Sequence, residues 1–323
     1  MKVKLLIATA AVLAFAVMEG AAAAQDEISL EGKVIGITTI RSDNHADRLF
    51  YQNAVREAER LGAEVIALDA QSNDQTQVSQ IQTLIAQQPD AIIEVLGNVD
   101  VLNPWLARIK EAGIPLVTID TNSPSADNVV ASNNYTIGID YALQLVADIG
   151  AEGNVLVFNG FYNVPPCRIR YDMLMYVLQD FPAVNVIQPE LRDVIPNTAQ
   201  RAYSDMTDML TKYSDEGEID AVWACWDVPL IGATQAIDAA GRGSSIGTYG
   251  VDGSADFMVM IEDPDSAASA VVIQDLVRIG ETAVHNAGRL INGEEVEPFT
   301  FVPHILVTKS NAAEVIPTLP AME

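Results

Sequence analysis

Two aspartates, Asp120 and Asp252, each follow a short apolar run, at corresponding points of two similar halves of the chain. A carboxylate at the end of a buried strand can accept hydrogen bonds from two adjacent hydroxyls. Two of them facing each other could also act as an acid and base pair on a carbohydrate. The two cysteines, Cys167 and Cys225, can pair in an oxidising compartment or stand as small buried side chains, but two residues build no disulfide scaffold. The histidines, His45, His285 and His304, lack metal-ligand spacing. His45, in the loop after the first strand, is placed to touch a ligand; the other two read as structural. No Gly-x-Ser-x-Gly elbow or His-Glu-x-x-His pair occurs. Gly241-Arg242-Gly243 precedes a strand, whereas a phosphate loop follows one. Asp252, Ser254 and Asp256 begin like a calcium loop, but Phe257 takes the glycine place and Asp263 the last. Neither is a site.

The elements that must hold these residues come from the apolar pattern. Residues 33–39 read as a buried strand, and a helix from about Asp47 to Leu61 carries Leu49, Ala54 and Ala58 inward before Gly62 stops it. Strands at 65–68, 91–95 and 115–119 follow, with helical spacing between them, and the last runs into Asp120. The second half repeats the rhythm with strands at 154–158, 184–187, 219–224 and 246–250, and helices from about Arg168, at 198–212 and at 229–240. Continuous apolar strands between amphipathic helices predict parallel sheets covered on both faces. The fold class is therefore α/β, with two Rossmann-like lobes. Ligands of such sheets sit beyond the carboxyl ends of the strands, so Asp120 and Asp252 are expected to meet in one cleft. A strand over 268–273, a helix over 275–291 and a strand over 299–302 exceed the repeat and are expected to cross back to complete the first lobe. The lobes are then discontinuous.

Residues 1–24 read as a secretory leader: Lys2 and Lys4, an apolar run from Leu5 to Met18, then Ala22-Ala23-Ala24. The run falls short of the ~20 apolar residues that span a bilayer. An exported, periplasmic protein is expected. The formal charge of −26 argues against nucleic acid or anionic membrane as partners.

With these residues in view, the chain resembles the type I periplasmic solute-binding proteins of sugar ABC transporters, most closely the ribose-binding branch. The resemblance rests on Asn53-Ala-Val-Arg-Glu-Ala-Glu-Arg-Leu-Gly62, Leu68-Asp-Ala-Gln-Ser-Asn73, Pro89-Asp-Ala-Ile-Ile93, Ala112-Gly-Ile-Pro-Leu-Val-Thr-Ile-Asp120, Val130-Ala-Ser-Asn-Asn134 and Tyr249-Gly-Val-Asp-Gly253. It implies that Asn44, Asp120, Asp252 and Arg168 contact the ligand, with Gln274 beside a crossover between lobes. Ser132-Asn133 and Val302-Pro303 fall on the other two crossovers, which implies lobes of 25–132 plus 275–302 and 133–274 plus 303–323 joined by a three-segment hinge. Three positions depart from the ribose branch. Thr121 follows Asp120 where an arginine is usual, and Thr121 and Gln274 are expected among the ligand-binding residues. Ala46 and Asp47 replace two stacking aromatics, and Trp226 replaces an asparagine. Trp226 is therefore expected to stack on the ligand, with Phe161 or Tyr162. Cys167 and Cys225 each precede one of these contacts, so a bridge between them would lie at the rim.

The expected function is a monomeric receptor, not an enzyme and without cofactor or metal. It would close on a small neutral sugar or polyol and deliver it to an inner-membrane ABC permease. Carboxylates accept from paired hydroxyls, Arg, Asn and Gln donate, and an aromatic covers C–H surface. Arg41, His45, Arg48 and Arg168 leave a sugar acid as the alternative ligand. A sensor presenting its ligand to a chemoreceptor or histidine kinase would use the same cleft. A sugar repressor would need a DNA-binding module where the leader stands. An enzyme would return the bound compound altered.

Overall fold

Buried β-branched runs alternating with one-sided helices need a parallel sheet to cover, and this chain makes two. The computed structural model describes residues 28–319; the leader expected at 1–24 lies outside them. The first half runs β1 (Val34–Thr39), α1 (His45–Arg60), β2 (Glu64–Asp69), α2 (Asp74–Gln87), β3 (Ala91–Val95), α3 (Val99–Glu111), β4 (Leu116–Ile119) and β5 (Asn128–Ser132). Then come α4 (Asn134–Asp148), β6 (Gly153–Phe158), α5 (Pro165–Leu178), β7 (Val184–Val186), α6 (Thr198–Lys212) and β8 (Ala221–Ala224). The chain continues through α7 (Val228–Ala239), β9 (Gly247–Asp252), α8 (Ala255–Glu262), β10 (Ala268–Gln274), α9 (Leu276–Ile291), β11 (Phe299–Val302), β12 (His304–Thr308) and α10 (Ala312–Val315).

The first sheet has the order β11-β5-β4-β3-β1-β2 and the second β12-β10-β9-β8-β6-β7. All pairings are parallel except β12, which runs antiparallel along β10. In each sheet the order reverses beside the first strand laid down, between β1 and β3 and between β6 and β8. The loops leaving those strands open the crevice where α/β sheets hold ligands. The chain passes from one sheet to the other three times: between β5 and α4, between β10 and α9, and between β11 and β12. Helix α9 returns to pack on α1, β3, β4 and β5. The strand expected at 268–273 does not cross back, because β10 continues the second sheet from β9.

Helix α4 has no counterpart in the sequence reading, since Gly138, Thr136 and its tyrosines blur the periodicity. It nonetheless buries Ile137, Tyr141, Ala142, Leu145 and Val146 at helical spacing. Asn133 caps it, accepting from the backbone N–H of Tyr135 and Thr136. A Cβ on Gly138 would stand 2.7 Å from the Cβ of Met173, so this glycine lets α4 and α5 approach closely. That approach brings Asn134 against Arg170.

Candidate functional site

Three carboxylates converge on one cleft because each begins or ends an element at the same level of the two sheets. Asp120 follows β4 with φ of 55°, and Asp252 closes β9 with φ of 106°. A non-glycine residue held at positive φ is disfavoured by roughly 1–3 kcal/mol, and two acids so held at equivalent strand ends point to function. Asp47 lies in the first turn of α1, where the helix N-terminus favours negative charge. All three line a cleft of about 470 Å³, its mouth included, with Arg41, Asn44, Ala46, Phe161, Arg170, Trp226 and Gln274 also on its walls.

Each acid is held by one oxygen. Asn134 Nδ2 donates to Asp120 Oδ1 at 3.0 Å, and Gln274 Nε2 to Asp252 Oδ1 at 2.7 Å. Asn44 Nδ2 donates to Asp47 Oδ2 at 2.7 Å, and Arg41 Nε lies 2.6 Å from that same oxygen. The second oxygen of each carboxylate accepts no hydrogen bond among the described residues. Arg170 joins the two halves of the set. Its Nε donates to Asn134 Oδ1 at 2.9 Å, its Nη1 to the Cys225 carbonyl at 2.7 Å, and Nη1 stands 3.8 Å from Asp252 Oδ1.

Burial governs the electrostatics. Asp120 is pushed up to about 6 by desolvation, although Arg170 and the Asn134 amide pull it down. Asp47 is likewise pushed up to about 6, against the pull of Arg41 and Asn44. Behind them Asp227, fully buried, is raised by desolvation and by the neighbouring Asp252 charge. These acids lack enough donors in the protein alone, a deficit a hydroxylated guest can relieve.

The apolar wall comes from the second half. Phe161 and Trp226 meet edge to face, with centroids 5.6 Å apart and planes at 87°. Arg41 reaches from the first half to lie 5.8 Å above the Phe161 ring. Asp193 fixes the tryptophan by accepting from its indole N–H, and also accepts from the Gly160 backbone N–H. A Cβ on Gly160 would come 2.0 Å from the Asp193 carbonyl, so only glycine fits there. A disulfide joins Cys167 in the first turn of α5 to Cys225 beside Trp226, across 58 residues of sequence.

The residues expected from sequence divide. Asp120, Asp252, Trp226, Gln274 and Asn44 line the cleft. Asn44 has already given its carbonyl oxygen to the Asp47 N–H and its amide to the Asp47 carboxylate, as the helix cap. His45 faces a neighbouring cavity toward Pro196, Ser254 and Asp256, and burial lowers its pKa. Thr121 is fully buried inside the first half, its hydroxyl donating to the Ile119 carbonyl at 3.4 Å, and it does not line the cleft. Arg168 does not line the cleft; it lies near Tyr162, outside, and Arg170 takes the inner place. Two helical residues differ by about 200° around the axis, so these arginines cannot share a face. The stripe Cys167, Arg170, Leu174 carries the signal: a cysteine read as inward-facing places its i+3 neighbour inward as well. Asp193 gives no such signal, since it sits in an irregular loop. His285 bonds Glu57 and His304 reaches Asp140, both away from the cleft. No cluster among the described residues is fit to hold a metal ion, and no helix there is long and apolar enough to cross a membrane.

Comparison with known proteins agrees with this geometry. Residues 35–295 match the family model of the periplasmic binding protein domain. A putative rhizopine-binding protein of Rhizobium meliloti is 30% identical over 78% of this chain and 82% of its own length. The crystal structure of an ABC sugar transporter subunit from Rhodobacter sphaeroides is 64% identical, with a TM-score of 0.86 over 88% of this chain and 100% of that one. An ABC transporter solute-binding protein from Agrobacterium vitis, solved with bound allitol, is 49% identical, with a TM-score of 0.88 over 90% of this chain and 100% of that one. Two parallel-sheet lobes, a cleft at their strand ends and a match across most of the sequence lead to one assignment: the chain belongs to the periplasmic binding protein family, among the type I solute-binding proteins of sugar ABC transporters.

Proposed function

We propose that this protein is an exported receptor that binds a small neutral sugar or polyol between its two halves and hands it to an ABC permease. One observation carries the reading. Asp120 and Asp252 come from different sheets, line the same cleft, and each has one carboxylate oxygen that accepts no hydrogen bond among the described residues. Hydroxyls donating to those oxygens would tie the halves together, and Arg170 would donate back to the ligand's oxygens. In this reading residues 25–132 plus 275–302 move against 133–274 plus 303–323, about Ser132-Asn133, Gln274 and Val302-Pro303. The Cys167–Cys225 disulfide suits an oxidising compartment such as the periplasm. In this reading the ligand leaves as it came.

A sugar acid fits this cleft poorly. Asp47, Asp120 and Asp252 outnumber Arg41 and Arg170, and Arg41 already pairs with Asp47. A further carboxylate would meet uncompensated negative charge in a desolvated space.

The test is a thermal-shift screen against sugars, polyols and sugar acids, followed by calorimetric titration of the strongest hit. Hydrogen bonds to a charged group contribute about 1.5–3 kcal/mol each. Asp120→Ala and Asp252→Ala should therefore each weaken binding about a hundredfold or more while melting cooperatively. Unchanged affinity in either folded variant would refute the site assignment. Recovery of an altered compound would refute the receptor reading.

A further inference from the structure

We infer that Asp47 is a third hydroxyl acceptor in this cleft and selects an open-chain polyol over ring sugars. The inference rests on the reading that the cleft takes a neutral hydroxylated ligand. It narrows the class by the distribution of polar and apolar surface around the cavity.

A ring sugar carries its hydroxyls around a rim and presents two C–H faces, each of which is best covered by an apolar or aromatic surface. This cleft offers aromatic surface on one side only, the first half adding the aliphatic Ala46 and Leu96. Phe161 and Trp226 both belong to loops of the second half, and their planes stand at 87°, so they form no parallel pair. Across from them the first half presents Asp47, Asp120 and Arg41, and its one aromatic there, Phe50, is 1% exposed. A ring seated against Phe161 or Trp226 would turn its other C–H face toward Asp47, Asp120 and Arg41, with Ala46 and Leu96 as its aliphatic cover and no aromatic face.

An extended polyol has no such faces. Its hydroxyls project to both sides along the carbon chain, and every one of them can donate. The cleft asks for that pattern. Asp47 Oδ1, Asp120 Oδ2 and Asp252 Oδ2 accept no hydrogen bond among the described residues, the three acids line the cleft, and the buried Gln274 Oε1 also lacks a donor. The setting of Asp47 suits it to accept from a guest, because the Asn44 cap and Arg41 pin Oδ2 and leave Oδ1 open.

The test is calorimetric titration of the mature protein, stripped of ligand, with two sets of probes. One set is ribitol, xylitol, D-arabinitol, allitol, sorbitol and galactitol; the other is D-ribose, D-xylose, D-glucose and myo-inositol. The best alditol should bind at least about tenfold tighter than any ring compound. Asp47→Ala should lose at least about tenfold on that alditol and much less on the best ring compound, with an intact melting transition. A ring sugar binding as tightly as the best alditol overturns the inference and leaves the receptor reading standing. So does an Asp47→Ala variant with undiminished alditol affinity. If neither set binds to protein that melts cooperatively, the neutral-ligand reading fails first and takes this inference with it.

Discussion

Glu94 shows at a single residue how the first half supports its cleft edge. It sits on β3, fully buried, with Gln77 Nε2 donating to Oε1 at 3.1 Å and the Thr121 hydroxyl beside it. No cation offsets its desolvation, which pushes its pKa up to about 8. The folded pKa thus lies above the unfolded one, near 4.3. This group's contribution to stability is complete below that unfolded value and is lost as pH rises toward 8, by at most about 1.4 kcal/mol per pH unit. Glu94→Gln removes the titration and keeps the shape. It should melt above the parent at pH 9 and converge with it near pH 5, read by circular dichroism. Parallel pH profiles for the two proteins would contradict this account. Thr121 therefore serves the interior rather than the ligand, which the sequence conceals because its neighbour Asp120 is a cleft residue. Strand-end aspartates were legible from their position in a repeated pattern. The choice between Arg168 and Arg170 needed the helix phase, and Asp47 needed its bonds to Asn44 and Arg41, since an acid in a first helical turn commonly only caps it.

Among elements, the disulfide is the part that fixes one cleft wall. It ties the first turn of α5 to the turn between β8 and α7, and Arg170 donates across the same gap to the Cys225 carbonyl. Arg170 and Trp226 are thereby held in register by a covalent bond and a charged hydrogen bond in parallel. Replacing both cysteines by serine should reduce stability by roughly 2–4 kcal/mol, as measured by urea unfolding. It should also weaken ligand binding several-fold in calorimetry at a temperature where the variant is folded. Loss of stability with unchanged affinity would restrict the bond to a structural role. The sequence disclosed the two cysteines but not their pairing, which depends on how closely α5 approaches the end of β8. Strand and helix identity in the repeats followed from apolar spacing alone. Helix α4 did not, because its glycine and polar positions are set by contact with α5 rather than by its own propensity.

At the scale of the molecule, three chain crossings join the halves, and in the proposed receptor side-chain contacts would decide how far they close. Asn134 follows the first crossing and bonds Asp120 before it, while Arg41 and Phe161 touch across the cleft. These contacts alone leave the free carboxylate oxygens without donors. A ligand that supplies donors to acids on both sides interacts more strongly with the closed arrangement than with any open one. It can shift the equilibrium only by that difference in affinity. Small-angle X-ray scattering should therefore show a smaller radius of gyration when the strongest hit of the screen is saturating than without it. Asp252→Ala removes the acceptor on one side, so the remaining contacts to Asp120 no longer span the cleft. At ligand concentrations high enough to occupy this variant, compaction should be reduced or absent even though heat of binding is still detected. Equal compaction of parent and variant would mean that closure is driven by protein contacts such as Arg41 on Phe161, with the ligand merely enclosed.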